Sequence, residues 1–226
     1  MNLHEIINNN KTDKNTLHSY LDLYQNLFND KKYTAKNILE IGIYMGGSIK
    51  LWSDFFVNAK IYGIDIMDVH NALDNVRNNI NIKIWTDFFI NASLCGIDLM
   101  NVHLLWDDIK NKENVILCTE SDAYDLNFFN EKFLNNNIKF DVMIDDGPHT
   151  LESMKIFIEL YSQIMTDDGI LIIEDVQSID WIDELKNAVP EHLKQYIKYY
   201  DLRKNKDRFD DIVFTIDKSN NNILKL

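Results

Sequence analysis

The sequence predicts an α/β fold: a doubly wound, mostly parallel sheet closed by an antiparallel last strand. Two short aliphatic runs, FDVMIDDGPH (Phe140 to His149) and GILIIEDV (Gly169 to Val176), each break at consecutive acidic residues. Buried parallel strands read this way when they deliver side chains to one edge of a sheet. Strand-like and helix-like stretches alternate from Asn37 onward, and the end, YIKYYDLRKNKDRFDDIVFTIDKS, reads as two strands around a charged turn. At 226 residues the chain suits one sizeable core, and residues 1–226 are read as a single domain.

Residues 1–33 read as a polar-faced N-terminal helical cap. Leu17, Tyr20, Leu21, Tyr24 and Leu27 recur at helical spacing, behind a loop-like Lys11-Thr12-Asp13-Lys14. NILEIGIYMGGS follows, from Asn37 to Ser48. Its strand carries Glu40, Gly42 comes two residues later, and Gly46-Gly47-Ser48 opens an amphipathic helix. Three of the chain's seven glycines fall within these six residues, where a backbone turns tightly or approaches a ligand. A nicotinamide-type loop wants G-x-G-x-x-G, and Tyr44 stands where its second glycine belongs. The looser loop of S-adenosylmethionine (SAM) binding fits better; a ligand-free turn reads equally well on this motif alone.

The next stretch is duplicated. IKLWSDFFVNAKIYGIDIMDVH (49–70) recurs as IKIWTDFFINASLCGIDLMNVH (82–103), with 14 of 22 positions identical. A weaker match extends the copies to 49–81 and 82–114, a period of 33 that suits one helix–strand unit. The strands end at Asp65 and Asp98. The first copy runs straight on from the glycine loop, so its strand pairs beside the first strand and Asp65 meets a ribose diol. A unit added outward sets Asp98 one strand away, about 4.8 Å. VILCTESDAYD (Val115 to Asp125) then reads as a third strand and a turn in which Asp122 faces an adenine, or is simply solvated. A helix from about Thr150 to Ile164 and another from Trp181 to Ala188, stopped near Pro190, complete the pattern.

The bulk composition sets limits. With 46% hydrophobic and 12% aromatic residues the chain is globular. A net charge of −13 argues against nucleic-acid or anionic-membrane partners. The start lacks a signal-peptide core and no run approaches membrane-spanning length, so a cytoplasmic protein is expected. Cys95 and Cys118 sit in apolar runs and read as buried free thiols. Abundant Asn, Ile and Lys beside few Gly and Pro indicate an AT-rich genome, such as that of a low-GC bacterium or a large DNA virus.

The chemistry concentrates at the two acidic strand ends. Asp145, Asp146, Glu174 and Asp175 would meet beside His149, and mutual repulsion makes such a cluster costly unless a cation or proton sits among them. Taken singly, the acids also read as helix caps or solvated strand ends, and the histidine as structural.

Together the residues resemble a known family. EIGIYMGGSIKLW, IYGIDI, IDDGPHT, IIED and RFDDIVFTID, with TDKNTLHSYLDLY ahead of them, are similar to class I SAM-dependent methyltransferases. The nearest branch is the metal-dependent sugar O-methyltransferases, which include macrolide-sugar and rhamnosyl enzymes and cephalosporin hydroxylase-like proteins. The resemblance covers nearly the whole chain except one copy of the repeat. It implies a Rossmann-like sheet, magnesium on Asp146, Glu174 and Asp175, and His149 as general base. SAM would lie against Glu40, Gly42, Gly46, Gly47, Ser48, Asp65 and Asp122, with Asp145 toward the sulfonium. The implied substrate is a sugar or nucleotide-sugar hydroxyl, and the family also admits a homo-oligomer.

Physical chemistry agrees with that set. A hard cation held by carboxylates orients a hydroxyl and lowers its pKa, and magnesium suits an all-oxygen site better than zinc. A base at a helix N-terminus is favoured in its neutral form. Two other readings stand beside it: a metal-dependent hydroxylase or hydrolase on the same carboxylates, or a non-catalytic binding module. No two-histidine, one-carboxylate set is visible around these acids, which counts against a non-haem iron oxygenase.

Overall fold

The computed structural model describes residues 2–66, 107–110 and 112–219. Asp98, Cys95 and most of the second repeat copy lie outside the described residues.

The sheet has seven strands in the order β3-β2-β1-β4-β5-β7-β6. These are β1 (Asn37–Ile41), β2 (Lys60–Ile64), β3 (Val115–Cys118), β4 (Phe140–Asp145), β5 (Met165–Ile173), β6 (Ile197–Asp201) and β7 (Ile212–Asp217). β3, β2, β1, β4 and β5 run parallel, and β7 is antiparallel to both β5 and β6. This is the doubly wound sheet with an antiparallel last strand that the sequence predicts. β5 starts four residues before Gly169 and stops at Ile173, so Glu174, Asp175 and Val176 belong to the turn beyond it.

Eight α-helices accompany the sheet among the described residues: α1 (Leu3–Ile6), α2 (Leu21–Phe28), α3 (Gly47–Phe55), α4 (Asp107–Lys110), α5 (Leu126–Phe129), α6 (Leu151–Tyr161), α7 (Trp181–Ala188) and α8 (Arg203–Lys206). None of them is long and apolar enough to cross a membrane. α6 covers the expected 150–164 helix with a closing 3₁₀ turn, and Thr150 caps it, accepting a 3.1 Å bond from the Ser153 amide. α7 has the expected bounds.

Alternation along the strands divides the core between the two faces. Ile38, Val142, Ile144, Ile170 and Ile172 pack with Trp52 of α3 and with Tyr24 and Phe28 of α2. Leu39, Met143, Leu171 and Ile173 pack with Phe157 and Tyr161 of α6 and Leu185 of α7. Glu40 therefore shares the Ile38 face and points toward α3, since side chains two apart lie on one face.

The N-terminal cap differs from its expectation. The helix begins at Leu21, not Leu17, and residues 9–17 consist largely of turns. Tyr20, Leu21, Tyr24 and Leu27 are buried as expected, but Leu17 is 56% exposed. Helical spacing fitted Leu17 by coincidence of position. The turn segment has a different anchor: the Lys206 ammonium donates to the carbonyls of Asn15, Thr16 and His18 at 2.5–3.0 Å.

Candidate functional site

The register places the parallel strand ends level. Ile64, Ile41, Asp145 and Ile173 are consecutive ladder partners across β2, β1, β4 and β5. The next residues, Asp65, Gly42, Asp146 and Glu174, therefore emerge along one edge, where open α/β sheets bind ligands. The crossover between β1 and β4 splits that edge. On its β2 side lies a cavity of about 870 Å³, lined by Gly42, Ile43, Tyr44, Met45, Gly47, Ser48, Asp65, Asp122, Tyr124 and Asp146, and walled by Asn9 to Asp13, Thr16 and Leu17 of the N-terminal segment.

The glycine loop makes this cavity possible. Gly42 has φ 90°, and a side chain there would overlap the Asp146 carbonyl. A methyl on Gly47 would overlap the Lys11 carbonyl and stand 2.9 Å from the Thr12 nitrogen. Asp65 binds the loop from β2: its Oδ2 accepts from the amides of Ile43 at 2.8 Å and Tyr44 at 3.3 Å. The first repeat copy thus supplies the strand beside β1, and the next place outward belongs to β3. Asp122 lines the cavity while its Oδ1 accepts from the Tyr124 amide at 2.9 Å.

Two of the residues expected at the cofactor stand behind the cavity instead. Glu40 is fully buried; its Oε2 accepts from Ser48 Oγ at 2.7 Å and Trp52 Nε1 at 3.1 Å. Its Oε1 lies 3.3 Å from the Lys14 ammonium as an ion pair, outside hydrogen-bond geometry. Burial pushes the Glu40 carboxyl up to about 7, with Lys14 opposing the rise. Asp145, 3% exposed, accepts from the Tyr124 hydroxyl, and burial pushes it to about 7 as well. Both acids are absent from the cavity wall because strand alternation turns them into the core. Gly46, at φ 79°, caps α3 from a left-handed conformation and also lies outside the lining.

The acidic side of the site contains the cation that the cluster requires, and it is a lysine. The Lys14 ammonium, 1% exposed, donates to Glu174 at 2.7 and 2.9 Å and to Asp146 Oδ2 at 2.9 Å. Burial alone would lower its pKa; Asp146, Glu174 and Glu40 outweigh burial and hold it well above the usual lysine range. The Tyr24 hydroxyl donates to Glu174 Oε1 and the Tyr20 hydroxyl to Asp175 Oδ1. Burial and these carboxylates drive both phenols up, so both remain donors.

Asp146, Asp175 and His149 form a separate group whose candidate ligand atoms lie within 4.8 Å of one another. His149 Nε2 stands 3.9 Å from Asp146 Oδ1 and 3.7 Å from Asp175 Oδ2. Oxygen donors gathered this closely are the kind of ligand that a hard divalent cation takes. Burial, then the neighbouring Asp146, raises the pKa of Asp175, a penalty that a cation would relieve. Glu174 stands beside this group, with the Lys14 ammonium and the Tyr24 hydroxyl donating to its oxygens. His149 and Asp175 both hold positive φ, 53° and 51°, an uncommon backbone for such residues that concentrates at functional turns.

A second cluster lies behind Asp175. His18 Nδ1 is 2.8 Å from Asp211 Oδ1 and 3.2 Å from Asp175 Oδ1, while Ser19 Oγ donates to Asp211 Oδ2 at 2.8 Å. Asp175 thus stands between two histidines, but they face opposite oxygens, and Asp211 engages His18. They do not converge as a two-histidine, one-carboxylate iron site needs. Sequence reasoning missed Lys14, His18, Tyr20, Tyr24 and Tyr124; the TDK…HSY stretch was the available signal for three of them.

No family model matches the chain. A curated protein similar to it is the mycinamicin VI 2''-O-methyltransferase of Micromonospora griseorubida, 23% identical over 172 residues, which are 73% of this chain and 33% of that protein. Among solved structures, the MycE methyltransferase of the mycinamycin biosynthetic pathway, in complex with Mg and SAH, is similar over 93% of this chain and 53% of its own, at TM-score 0.57 and 18% identity. The same methyltransferase with Mg, SAH and mycinamycin VI gives 92% and 50%, TM-score 0.59 and 18% identity. The chain spans about a third of that curated relative's length and about half of the solved chains. These likenesses show the Rossmann-like fold of class I methyltransferases, and the curated relative is by its name an O-methyltransferase.

Proposed function

We propose that this chain is a SAM- and divalent-metal-dependent O-methyltransferase that methylates a sugar hydroxyl, on a nucleotide-sugar or a glycan building block. The observation that carries this reading is the position of Asp146: it closes the 870 Å³ cavity and also belongs to the Asp146–His149–Asp175 group. A cofactor in the cavity and an acceptor beside the acids would therefore be neighbours. The similarity to a curated 2''-O-methyltransferase and to a methyltransferase solved in complex with Mg and SAH supports both cofactors.

In this reading the glycine loop accepts SAM by close backbone approach. Asp65 offers its carboxylate to the ribose diol, as acids at this strand end do, and Asp122 faces the adenine. Asp146, Glu174 and Asp175 would hold the metal, which would orient the acceptor hydroxyl and lower its pKa. His149 Nε2 accepts the hydroxyl proton, the oxygen forms a bond to the methyl carbon, and the carbon–sulfur bond breaks, leaving neutral S-adenosylhomocysteine. Charge balances: the sulfonium loses its charge as the histidine gains one.

Calorimetry with SAM, with and without magnesium, followed by mass spectrometry over a sugar panel, tests this. SAM binding with a one-carbon mass gain on a sugar is expected, and His149→Ala should abolish turnover while leaving SAM affinity nearly intact. No SAM binding refutes the reading, and a fully active His149→Ala removes the histidine as base. Binding without turnover points instead to a non-catalytic module.

A further inference from the structure

We infer that the turn between β6 and β7 forms a second sugar subsite, in which Phe209 and the Arg203–Asp201 and Arg208–Asp210 pairs take an uncharged sugar ring next to the one that is methylated. The inference rests on the sugar O-methyltransferase reading above and deepens it. The acceptor is then an uncharged glycan or glycoside of at least two rings, not a nucleotide-sugar.

Strand direction brings this turn to the ligand edge. β7 is antiparallel to β5, so its start lies beside the end of β5, and the Val176 amide donates to the Ile212 carbonyl at 3.1 Å. β6 ends at Asp201, the ladder partner of Ile212. Residues 202–211 therefore continue the row that Asp65, Gly42, Asp146 and Glu174 begin, on the side of the acids away from the 870 Å³ cavity. The Tyr20 hydroxyl that bonds Asp175 stands 3.4 Å from the Asp210 carbonyl, so the turn adjoins the acids directly. Within the turn lies an open pocket of about 340 Å³, formed by Asp201, Arg203, Lys204, Asp207, Arg208 and Phe209. Small-molecule sites begin at about 300 Å³, so this one suits a single ring.

The pocket's chemistry suits a sugar better than an anion. Two of the chain's three arginines stand here. Arg203 closes a fork on Asp201 at 2.7 and 2.8 Å, and Arg208 closes one on Asp210 at 2.7 and 3.0 Å. The guanidinium faces that would clasp a phosphate are thus filled, and Asp201, Asp207 and Asp210 balance the charges of Arg203, Lys204 and Arg208. Each guanidinium keeps N–H groups beyond its fork, and each carboxylate keeps lone pairs. Donor and acceptor therefore stand side by side, as a hydroxyl that both gives and takes a bond requires. Phe209 supplies the apolar part. At 64% exposure it is the one exposed phenylalanine among the described residues, in a residue type that ordinarily packs inside. Its ring can cover the C–H face of a pyranose while the edge hydroxyls meet the two ion pairs.

The test is sugar binding to the purified protein loaded with S-adenosylhomocysteine and magnesium, read by saturation-transfer NMR and calorimetry. The probes are neutral disaccharides of hexoses and 6-deoxyhexoses, the methyl glycosides of their component sugars, and UDP- and dTDP-hexoses as the charged arm. At least one disaccharide should bind about tenfold more tightly than either of its methyl glycosides, and more tightly than any nucleotide-sugar. Phe209→Ala should remove that gain while leaving methyl-glycoside and SAM affinity unchanged, and Phe209→Trp should retain it. Arg203→Gln should weaken the disaccharide about threefold or more, as the loss of a hydrogen-bonding pair does. Equal disaccharide affinity in wild type and Phe209→Ala overturns the inference. So does a nucleotide-sugar that outbinds every disaccharide, or a panel in which no disaccharide outbinds its methyl glycosides. A wild type that fails to bind SAM in a separate titration refutes the methyltransferase reading itself, and the inference with it.

Discussion

Replacing Gly47 by alanine tests the docking of the N-terminal segment on the cofactor loop. Gly47 is the first residue of α3, and its own φ is not positive, so alanine meets no backbone strain there. In an isolated helix the change would stabilise by up to about 1 kcal/mol. Here the new methyl overlaps the Lys11 carbonyl and stands 2.9 Å from the Thr12 nitrogen, both backbone atoms that no rotamer change can move. The new methyl would stand 2.0 Å from that oxygen, so restoring ordinary contact requires the segment to retreat by about 1.4 Å, and overpacking of this kind costs about 1–3 kcal/mol. The clash wins. We expect a net loss of about 1–2 kcal/mol, a melting temperature lower by about 3–8 °C, and SAM binding weakened about tenfold, because Asn9 to Asp13 form one wall of the cavity. Scanning calorimetry and SAM titration measure both effects. A variant that melts at or above the wild-type temperature with unchanged SAM affinity refutes the docking.

Three further outcomes are expected. Asp65→Ala should weaken SAM at least tenfold, since the carboxylate both lines the cavity and binds the loop amides, while Asp98→Ala should leave it unchanged; the opposite result in titration would exchange the two repeat copies. Burial holds Glu40 at about 7, so the protonated form is the one the fold favours; its contribution to stability is complete below the unfolded carboxyl pKa of 4.5 and fades as pH rises through 7. Urea unfolding with a chelator present should show wild type losing up to about 3 kcal/mol relative to Glu40→Gln between about pH 4.5 and 8, and parallel pH curves would refute the role of burial. Lys206→Ala should speed amide hydrogen exchange across residues 15–20 while the amides of β4 keep their protection; equal protection of that segment in both proteins would show that three carbonyl contacts are not its anchor.

The sheet and its acidic edge were legible because their signals are local. An aliphatic run that breaks at Asp145–Asp146 or Glu174–Asp175 has one economical reading, and the glycines at 42, 46 and 47 mark a turn without help from the rest of the chain. Alternation also carried information that a list of strand-end acids hides: Glu40 follows Ile38 by two and must share its buried face. The partner of the acids was not legible. Lys14 lies in a polar turn with no periodicity, and its bonds to Asp146 and Glu174 span 132 and 160 positions. Nothing near Lys14 marks it as buried. Leu17 failed for the converse reason, since it fits a helical spacing that its backbone does not adopt.

The separations involved also bear on how the chain becomes competent. Lys14 meets Glu174 across 160 positions, His18 meets Asp211 across 193, and Lys206 reaches back 188 to 191 residues to fasten the segment between them. Loop closure over such distances is slow, and folding rates fall as contacts become more distant in sequence. During synthesis the glycine loop and the first acidic strand end are made long before Lys206 and Asp211 exist. The site is therefore completed late, as a clasp between the two ends of the described fold, and a ribosome must deliver nearly all of it before the first wall of the cavity can be fastened.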